Sequence, residues 1–171
     1  AFTVPLKAIG IWKLDVDLYL IKARTDAGIG DFAAMSEEQR EQVLKSKKDN
    51  VDYEVFDEIP FWSNGGGFTN KLRNTLYVVD AKAKTCTPIT APLFMTGDVD
   101  VKEGKVLYTG EEYTSRPQRK ASVYLYDVKA KTTECIYDKK EYSIHEAAFF
   151  GEAIVLAAAT TTRHGNNENP Y

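Results

Sequence analysis

The sequence is poor in the residues that build most catalytic and metal sites. It contains only two histidines, His145 and His164, and only two cysteines among 171 residues. A Ser/His/Asp triad would need one of these histidines, and no serine stands in a G-x-S-x-G turn. The histidines and cysteines also lack the spacing of a zinc site. We therefore predict no catalytic residue, no metal ligand and no cofactor site, with His145 at a strand end and His164 in a loop.

An excess of one charge and long apolar runs are missing as well. Lysine and arginine number 22 against 25 aspartates and glutamates, a net charge of -3, so no basic stripe is available for nucleic acid. The longest apolar stretches, such as residues 153–159, are too short to cross a bilayer, and no charged-then-apolar segment opens the chain. We expect neither nucleic acid nor a membrane as a partner. The 43% apolar content is that of a folded domain.

A repeat is the most informative feature that is present. Residues 77–85 (YVVDAKAKT) and residues 124–132 (YLYDVKAKT) are nearly identical, and the same offset takes Gly104 to Gly151. A period in the forties, made of short β-type runs separated by turn residues, is typical of a four-stranded propeller blade. The sequence therefore predicts an all-β fold, a partial β-propeller of about two and a half four-stranded antiparallel blades.

The repeat divides the chain into three units. Residues 1–92 are predicted to form one blade, residues 93–140 a second, and residues 141–171 half a blade. The predicted strands are residues 8–14, 17–24, 76–80 and 85–90 in the first unit, 96–101, 105–109, 122–127 and 133–137 in the second, and 146–150 and 153–161 in the third. The unbroken apolar composition of the last of these fits a strand that is buried on both faces.

A propeller ring usually needs about four to eight blades. We therefore interpret the chain as a piece of a larger propeller, with an open apolar blade face at each end. The strand edge near residues 153–161 should also expose unpaired backbone and apolar side chains, so we expect copies of the chain to associate through this edge and the open blade faces.

A long insertion, residues 25–73, interrupts the first blade. Within it, residues 36–39 (SEEQ) form a capping box, and lysines follow near residue 48, which predicts a short surface helix over about 37–48. Only Val43 and Leu44 could anchor this helix. The glycine run at residues 65–67 could be read as a phosphate loop, but no GK[ST] and no helix follow it. We predict a hairpin tip there instead.

Three groups of polar residues could carry chemistry. Asp15 with Asp17, and Asp98 with Asp100, are spaced i, i+2 on predicted strands and therefore share a face. Each pair could bind a cation or act as an acid and base couple. Because no further oxygen ligands follow at calcium-loop spacing, we favour a polar strand rim near the central channel.

The third group is Glu111 and Glu112, in a predicted loop of 12 residues that also contains Arg116 and Arg119. Adjacent glutamates could hold the amino terminus of a substrate by charge-assisted hydrogen bonds. The alternative, a solvated loop with paired charges, is the more common situation for such clusters, and we favour it.

Cys86 and Cys135 lie in the last predicted strands of successive repeats but not at equivalent positions. A disulfide between blades is one possibility, and two reduced strand thiols in a cytosolic protein are the other. We predict reduced, structural thiols.

The clearest resemblance to a known family lies in residues 57–68 (DEIPFWSNGGGF), followed by residues 73–80 (RNTLYVVD) and 87–90 (TPIT). This text resembles the N-terminal propeller of the prolyl oligopeptidase family, within it the acylaminoacyl-peptidase and dipeptidyl-aminopeptidase-like branch. The resemblance implies a propeller of about seven or eight blades that caps an α/β-hydrolase domain, whose Ser, Asp and His cleave peptides. That catalytic domain is absent from this chain, so no catalytic residue of the family can be carried over. The glutamate pair of dipeptidyl peptidases lies on a helical insertion, unlike Glu111 and Glu112.

Two functions remain open on the sequence. In the first, the chain is a non-catalytic part of a cytoplasmic serine exopeptidase that admits short, flexible peptides to the hydrolase domain and excludes folded chains. Its partners would then be short peptide substrates, the missing blades and the hydrolase domain, and the chain alone would be inactive. In the second, the chain belongs to a stand-alone propeller that binds a protein or a ligand. The family resemblance favours the first.

Overall fold

The computed structural model describes residues 7–29, 35–49, 52, 55–118, 120–138 and 141–160. These residues form twelve strands and one helix. The first sheet contains β1 (Lys7–Lys13), β2 (Leu18–Asp26), β5 (Leu72–Asp80) and β6 (Thr85–Pro88), paired antiparallel in the order β1-β2-β5-β6. The insertion between β2 and β5 holds α1 (Glu37–Asp49), β3 (Trp62–Ser63) and β4 (Gly67–Phe68).

The second sheet contains β7 (Phe94–Lys102), β8 (Lys105–Glu112), β9 (Ser122–Asp127) and β10 (Thr132–Tyr137), again antiparallel and in chain order. The third sheet is the pair β11 (Tyr142–Phe150) and β12 (Ala153–Thr160). Two complete four-stranded meanders and half of a third confirm the predicted all-β, partial propeller-like fold.

The repeated phrase folds twice into the same turn. After β5, the side chain of Asp80 accepts a hydrogen bond from the Ala83 amide at 2.7 Å, and after β9 the side chain of Asp127 accepts one from the Ala130 amide at 2.9 Å. Both turns close on a left-handed lysine, Lys84 (φ 56) and Lys131 (φ 55). An aspartate that bonds the backbone ahead of it fixes such a turn locally, which is why the sequence repeat is also a structural one.

The core lies between the sheets rather than inside any one of them. Leu20 and Leu76 of the first sheet pack against Val106 and Tyr108 of β8. On the other face of β8, Leu107 joins Val123, Ile144 and Ala147 between the second and third sheets. A strand buried on both faces arises when a sheet is stacked between two others, which is how propeller blades bury their apolar surface.

The prediction that the last strand is buried on both faces is wrong for β12. Ile154 and Leu156 pack toward the second sheet, whereas Val155 on the opposite face is 50% exposed. Phe150 of β11 is 73% exposed as well. Within the described residues, only the second sheet packs on this pair of strands, so the opposite face is open around Val155 and Phe150, whereas Ala159 further along that face is buried. The first sheet has a corresponding open face, where Ile11 is 64% exposed.

The capping box of α1 is confirmed. The backbone amide of Gln39 donates to Ser36 Oγ at 3.3 Å, and the backbone amide of Ser36 donates to Gln39 Oε1 at 2.9 Å. Each polar contact satisfies a backbone donor that the helix cannot satisfy itself. Val43 is half-buried and Leu44 is 57% exposed, so the helix lies on the surface as predicted.

Candidate functional site

Three connections meet at one end of the first two sheets. They are the insertion that follows β2, the linker of residues 89–93 that follows β6, and the loop of residues 113–121 that follows β8. Strands β2, β6 and β8 run in the same direction, because neighbours within each sheet are antiparallel and the linker joins the two sheets directly. Among the described residues, this loop-bearing end therefore collects the longest connections between strands.

Arg73, in β5, joins all three connections through one side chain. It is fully buried, and a guanidinium has five N–H donors. Arg73 Nε donates to the Leu93 carbonyl at 3.0 Å; Nη1 donates to Glu58 Oε2 at 3.2 Å and to the Leu72 carbonyl at 3.0 Å; Nη2 donates to Glu58 Oε1 at 2.5 Å and to the Tyr113 carbonyl at 3.1 Å. The guanidinium carbon also lies 3.9 Å from the centre of the Tyr113 ring. Every donor of this buried cation is used.

Glu58 supplies the matching anion from the insertion. Its side chain is almost fully buried and also accepts a hydrogen bond from the Lys71 amide at 2.8 Å. Burial by itself raises the pKa of Glu58, but hydrogen bonds from Arg73 and Lys71, together with their positive charges, outweigh it and hold the pKa below its usual value. Glu58 is therefore ionised near neutral pH, which its bidentate ion pair with Arg73 requires.

Lys71 extends this contact toward the loop of the second sheet. Its Nζ lies 3.0 Å from Asp57 Oδ2 and 3.5 Å from Glu58 Oε1, and it donates to the Thr114 carbonyl at 3.1 Å. The backbone adds a direct bond, from the Ile59 amide to the Ser115 carbonyl at 2.8 Å. We refer to Glu58, Lys71, Arg73 and Tyr113 as the Arg73 cluster, and Asp57 lies at its exposed edge. It ties residues 57–59 of the insertion to residues 113–115 of the second sheet.

Four aromatic rings stand on the outer side of the same insertion. Phe56 lies 4.7 Å from Phe61 and 5.0 Å from Phe68, and Trp62 meets Phe68 edge-on at 5.2 Å between ring centres. Each ring is 39% to 53% exposed. Because the rings touch one another, they leave no space between them for a cation, as an aromatic cage would. The group is a small apolar cluster that folds the insertion and presents one side to solvent.

The hairpin tip predicted over the glycine run lies beside these rings. Trp62 pairs with Phe68 and Ser63 with Gly67. Gly65 (φ 74) and Gly67 (φ 70) take left-handed conformations, and only glycine adopts these at no steric cost.

The two aspartate pairs differ from each other. Asp98 and Asp100 lie on β7, as predicted, and reach across to β11 of the next sheet. Asp98 Oδ2 accepts from the Ala147 amide at 3.1 Å, and Asp100 Oδ2 accepts from the Phe149 amide at 2.8 Å. These carboxylates bond the neighbouring backbone, which is a structural use.

Asp15 and Asp17 are not on strands, contrary to the prediction. They are exposed residues of the turn between β1 and β2, where Asp15 bonds the adjacent Val16 amide at 2.7 Å. Hairpin turns bring polar residues together without a shared strand face. The strand alternation ends at Lys13, so it does not reach Asp15 or Asp17. No group of three or more potential metal ligands occurs among the described residues.

Glu111 and Glu112 lie on a strand rather than in a plain loop, because β8 continues through Glu112 and pairs with β7. Glu111 is half-buried and its Oε2 accepts from the Gln118 amide at 2.9 Å, so it holds the loop that follows. Glu112 and Arg116 are exposed, and Arg119 lies outside the described residues.

The histidines and cysteines were the remaining residues considered in the sequence. His145 lies within β11, at its bulge, and not at a strand end as predicted. His164 lies outside the described residues. Cys86, in β6, and Cys135, in β10, are not disulfide-bonded. A cavity of about 90 Å³, lined by Thr25, Thr75 and Tyr77 among others, is small beside the roughly 300 Å³ or more of typical ligand pockets.

Sequence reasoning missed the Arg73 cluster. Its one available signal was Arg73 itself, an arginine within a predicted blade, because a strand buried between blades tolerates this charge only with a partner. The described helix is too short and too polar to span a membrane.

The chain was compared with known proteins in three ways. No family model matches it, and no curated protein matches it. Among solved structures, it is similar to the acylaminoacyl peptidase of Pyrococcus horikoshii in an orthorhombic crystal form, with a TM-score of 0.38, 12% identity, and coverage of 89% of this chain and 28% of that one. The uncomplexed form of that peptidase gives a TM-score of 0.39, 12% identity and coverage of 89% and 29%. The chain thus spans less than a third of these proteins, and likeness at this level does not establish a family.

Proposed function

We propose that the chain is a non-catalytic propeller segment of a serine exopeptidase, similar to acylaminoacyl peptidases, that restricts the access of peptides to a hydrolase domain. The observation that carries the proposal is the place of residues 57–68, whose sequence resembles the prolyl oligopeptidase family. This segment supplies Glu58 to the Arg73 cluster and three rings to the aromatic cluster, at the end of the sheets where the long connections gather.

The mechanism is steric. A ring of blades encloses a narrow central channel, which a short extended peptide can enter and a folded domain cannot. The spaces between the three sheets are filled by the two apolar clusters and their polar contacts. Filled seams between blades support a filter of fixed width. We also propose blade divisions at residues 1–92, 93–140 and 141–171, and the order of the described strands, β1 to β6, β7 to β10 and β11 to β12, supports them.

The first experiment asks whether the chain lacks hydrolytic activity. The purified chain is incubated with acyl-peptide and aminoacyl chromogenic substrates, and we expect no turnover. Turnover that a serine-directed inhibitor abolishes would refute the assignment of catalysis to another domain.

The second experiment tests access in the product of the complete reading frame. Replacing the β3–β4 hairpin, residues 62–68, by a short Gly-Ser turn should change kcat/KM for long peptides while leaving small chromogenic substrates unaffected. The matched control shortens the β9–β10 turn at the opposite end of the second sheet. Equal effects of both changes on all substrates would contradict gating.

A stand-alone binding propeller is the second candidate, and the exposed aromatic cluster favours it, because aromatic side chains are enriched at binding hot spots. The complete reading frame separates the two candidates. A G-x-S-x-G elbow within a few hundred residues downstream supports the peptidase, and a stop codon after the last blade supports the binder.

We also propose that copies of the chain associate through the open sheet faces, which expose Ile9 and Ile11 on one side and Phe150 and Val155 on the other. Light scattering at high concentration should show oligomers that Ile11→Lys or Val155→Lys reduces. A monomer at all concentrations would contradict this.

From the thiols we further propose a cytoplasmic location, which cell fractionation can test.

A further inference from the structure

The geometry points to the Arg73 cluster as a lock between the first two sheets, which makes residues 55–71 and residues 113–115 open and close as one unit. The lock itself stands on contacts within the chain. Its consequence for peptide access rests on the proposed function. The inference starts from the convergence of three separate segments on a single buried cation.

Arg73 couples the insertion and the loop of the second sheet because neither of these two segments can leave alone. If the loop of the second sheet moves away, the guanidinium loses the Tyr113 carbonyl and the covering ring, and if the insertion moves away, it loses both Glu58 oxygens. In either case a buried, charged group is left with unsatisfied donors, which is far costlier than losing an exposed contact. The low-energy states are therefore the fully closed one and one in which both segments are released.

Two further contacts act in the same direction. The Ile59 amide bonds the Ser115 carbonyl and Lys71 Nζ bonds the Thr114 carbonyl, so the insertion and the loop are also joined without Arg73. Both carbonyls belong to the loop that leaves β8, and both donors belong to the insertion. The seam between the first two sheets is thus bridged at the loop-bearing end by side chains and backbone together.

A closed seam has a consequence for the proposed filter. Peptides do not pass between the first and second blades at this end while the lock is intact, so access must run through another opening. Breaking the lock should create a second passage and weaken the selection by size.

Hydrogen exchange of the chain, read by mass spectrometry, tests the lock without any assumption about hydrolysis. Glu58→Gln removes the anion but keeps the shape. We expect exchange to accelerate by about tenfold or more in peptides covering both residues 55–71 and residues 113–118, and by the same factor in each. Peptides from β11 and β12 should not change.

Asp57→Asn is the matched control. Asp57 is the neighbouring carboxylate, but it is 58% exposed and contacts only the Lys71 side chain among the cations of the cluster. Its substitution should change exchange by no more than about twofold in either segment. If Glu58→Gln prevents folding, Tyr113→Leu replaces it, because this variant keeps the Tyr113 carbonyl and removes only the ring over Arg73. It should accelerate the same two segments together, by a smaller factor.

Acceleration of one segment without the other would overturn the lock. So would no acceleration in either, or the same acceleration across all three sheets, which would mean a general loss of stability. If exchange behaves as expected but the complete protein lacks hydrolase activity, the lock stands and only the proposed function fails.

Discussion

Removing the carboxylate of Asp100 tests how the second and third sheets are held together. Asp100 Oδ2 accepts from the Phe149 amide at 2.8 Å, and Oδ1 accepts from its neighbour Val101 at 2.8 Å. Both Asp100 and Phe149 are half-buried, so water does not fully replace the lost acceptor. The bond to Phe149 joins two sheets, whereas the bond to Val101 is local.

The expected size of the effect follows from these contacts. A hydrogen bond to a charged acceptor contributes about 1.5 to 3 kcal/mol, so Asp100→Ala should lower the free energy of unfolding by about 2 to 3 kcal/mol. Asp100→Asn keeps an acceptor and loses the charge, so it should cost about half as much. Asp98→Ala removes one longer bond, 3.1 Å to the Ala147 amide, and should cost about 1 to 2 kcal/mol.

Asp15→Ala is the matched control, because Asp15 is exposed, its carboxylate accepts a hydrogen bond from the adjacent Val16 amide, and its backbone bond to the Leu18 carbonyl survives the substitution. It should cost less than about 0.5 kcal/mol. Urea unfolding measures all four variants, with an unchanged slope as the sign that only stability has moved. A loss for Asp100→Ala no larger than that for Asp15→Ala would refute the structural role. A midpoint of wild-type unfolding that rises on adding Ca²⁺ or Mg²⁺, and does not rise in Asp100→Ala, would favour the cation interpretation instead.

Three other predictions concern single buried groups. Folding lowers the pKa of Glu58, which faces Arg73, Lys71, Asp57 and Tyr113. The contribution of Glu58 to stability is therefore present above about pH 4.5 and is lost as the pH falls through the lowered pKa. Urea midpoints measured between about pH 2 and pH 6 should rise with pH, and Glu58→Gln should reduce this rise. Burial raises the pKa of Tyr108 to about 12, so stability should fall as the pH rises above the usual value of 10, and an alkaline titration should find a smaller fall in Tyr108→Phe. A Cβ on Gly110 would overlap the Phe94 ring and approach the Met95 carbonyl oxygen to 2.5 Å. Gly110→Ala should therefore lower the thermal midpoint by an amount corresponding to about 1 to 3 kcal/mol. An unchanged midpoint would mean that β7 and β8 can shift apart to make room for the methyl group.

The parts of the fold that depend on neighbouring residues could be predicted from the sequence. The turn after Asp80 and its copy after Asp127 are specified by side chains within three residues, and the start of α1 is specified by Ser36 and Gln39. The strands follow from alternation over a few residues, and several observed strands are longer than the predicted ones by only a few positions. Local rules succeed where the partners are local.

The contacts that position the candidate site could not be predicted in this way. Arg73 meets partners 15, 20 and 40 residues away, at Glu58, Leu93 and Tyr113, and only the stacking of two sheets brings them together. The partner of Asp98 could not be predicted for the same reason, because its carboxylate accepts a hydrogen bond from the Ala147 amide, 49 residues further along the chain. Burial on one face of β12 likewise depends on what packs there, which apolar composition alone does not reveal.

Polar contacts between sheets explain why these seams have one register. Apolar packing is not directional, and a slide of one sheet by two residues would return the same faces to the seam. After such a slide one of Asp98 and Asp100 could still find an amide, since Ala147 and Phe149 are also two apart, so the pair alone prefers the native register by a single bond. Lys102 Nζ donates to the Gly151 carbonyl at 2.6 Å, at the β11–β12 turn, and a slide would break this bond as well. Lys22 donates to the Gly97 carbonyl, and a slide at the first seam would likewise break that bond. The apolar clusters therefore hold the sheets together, and a few hydrogen bonds to specific backbone atoms fix the register of one sheet against the next.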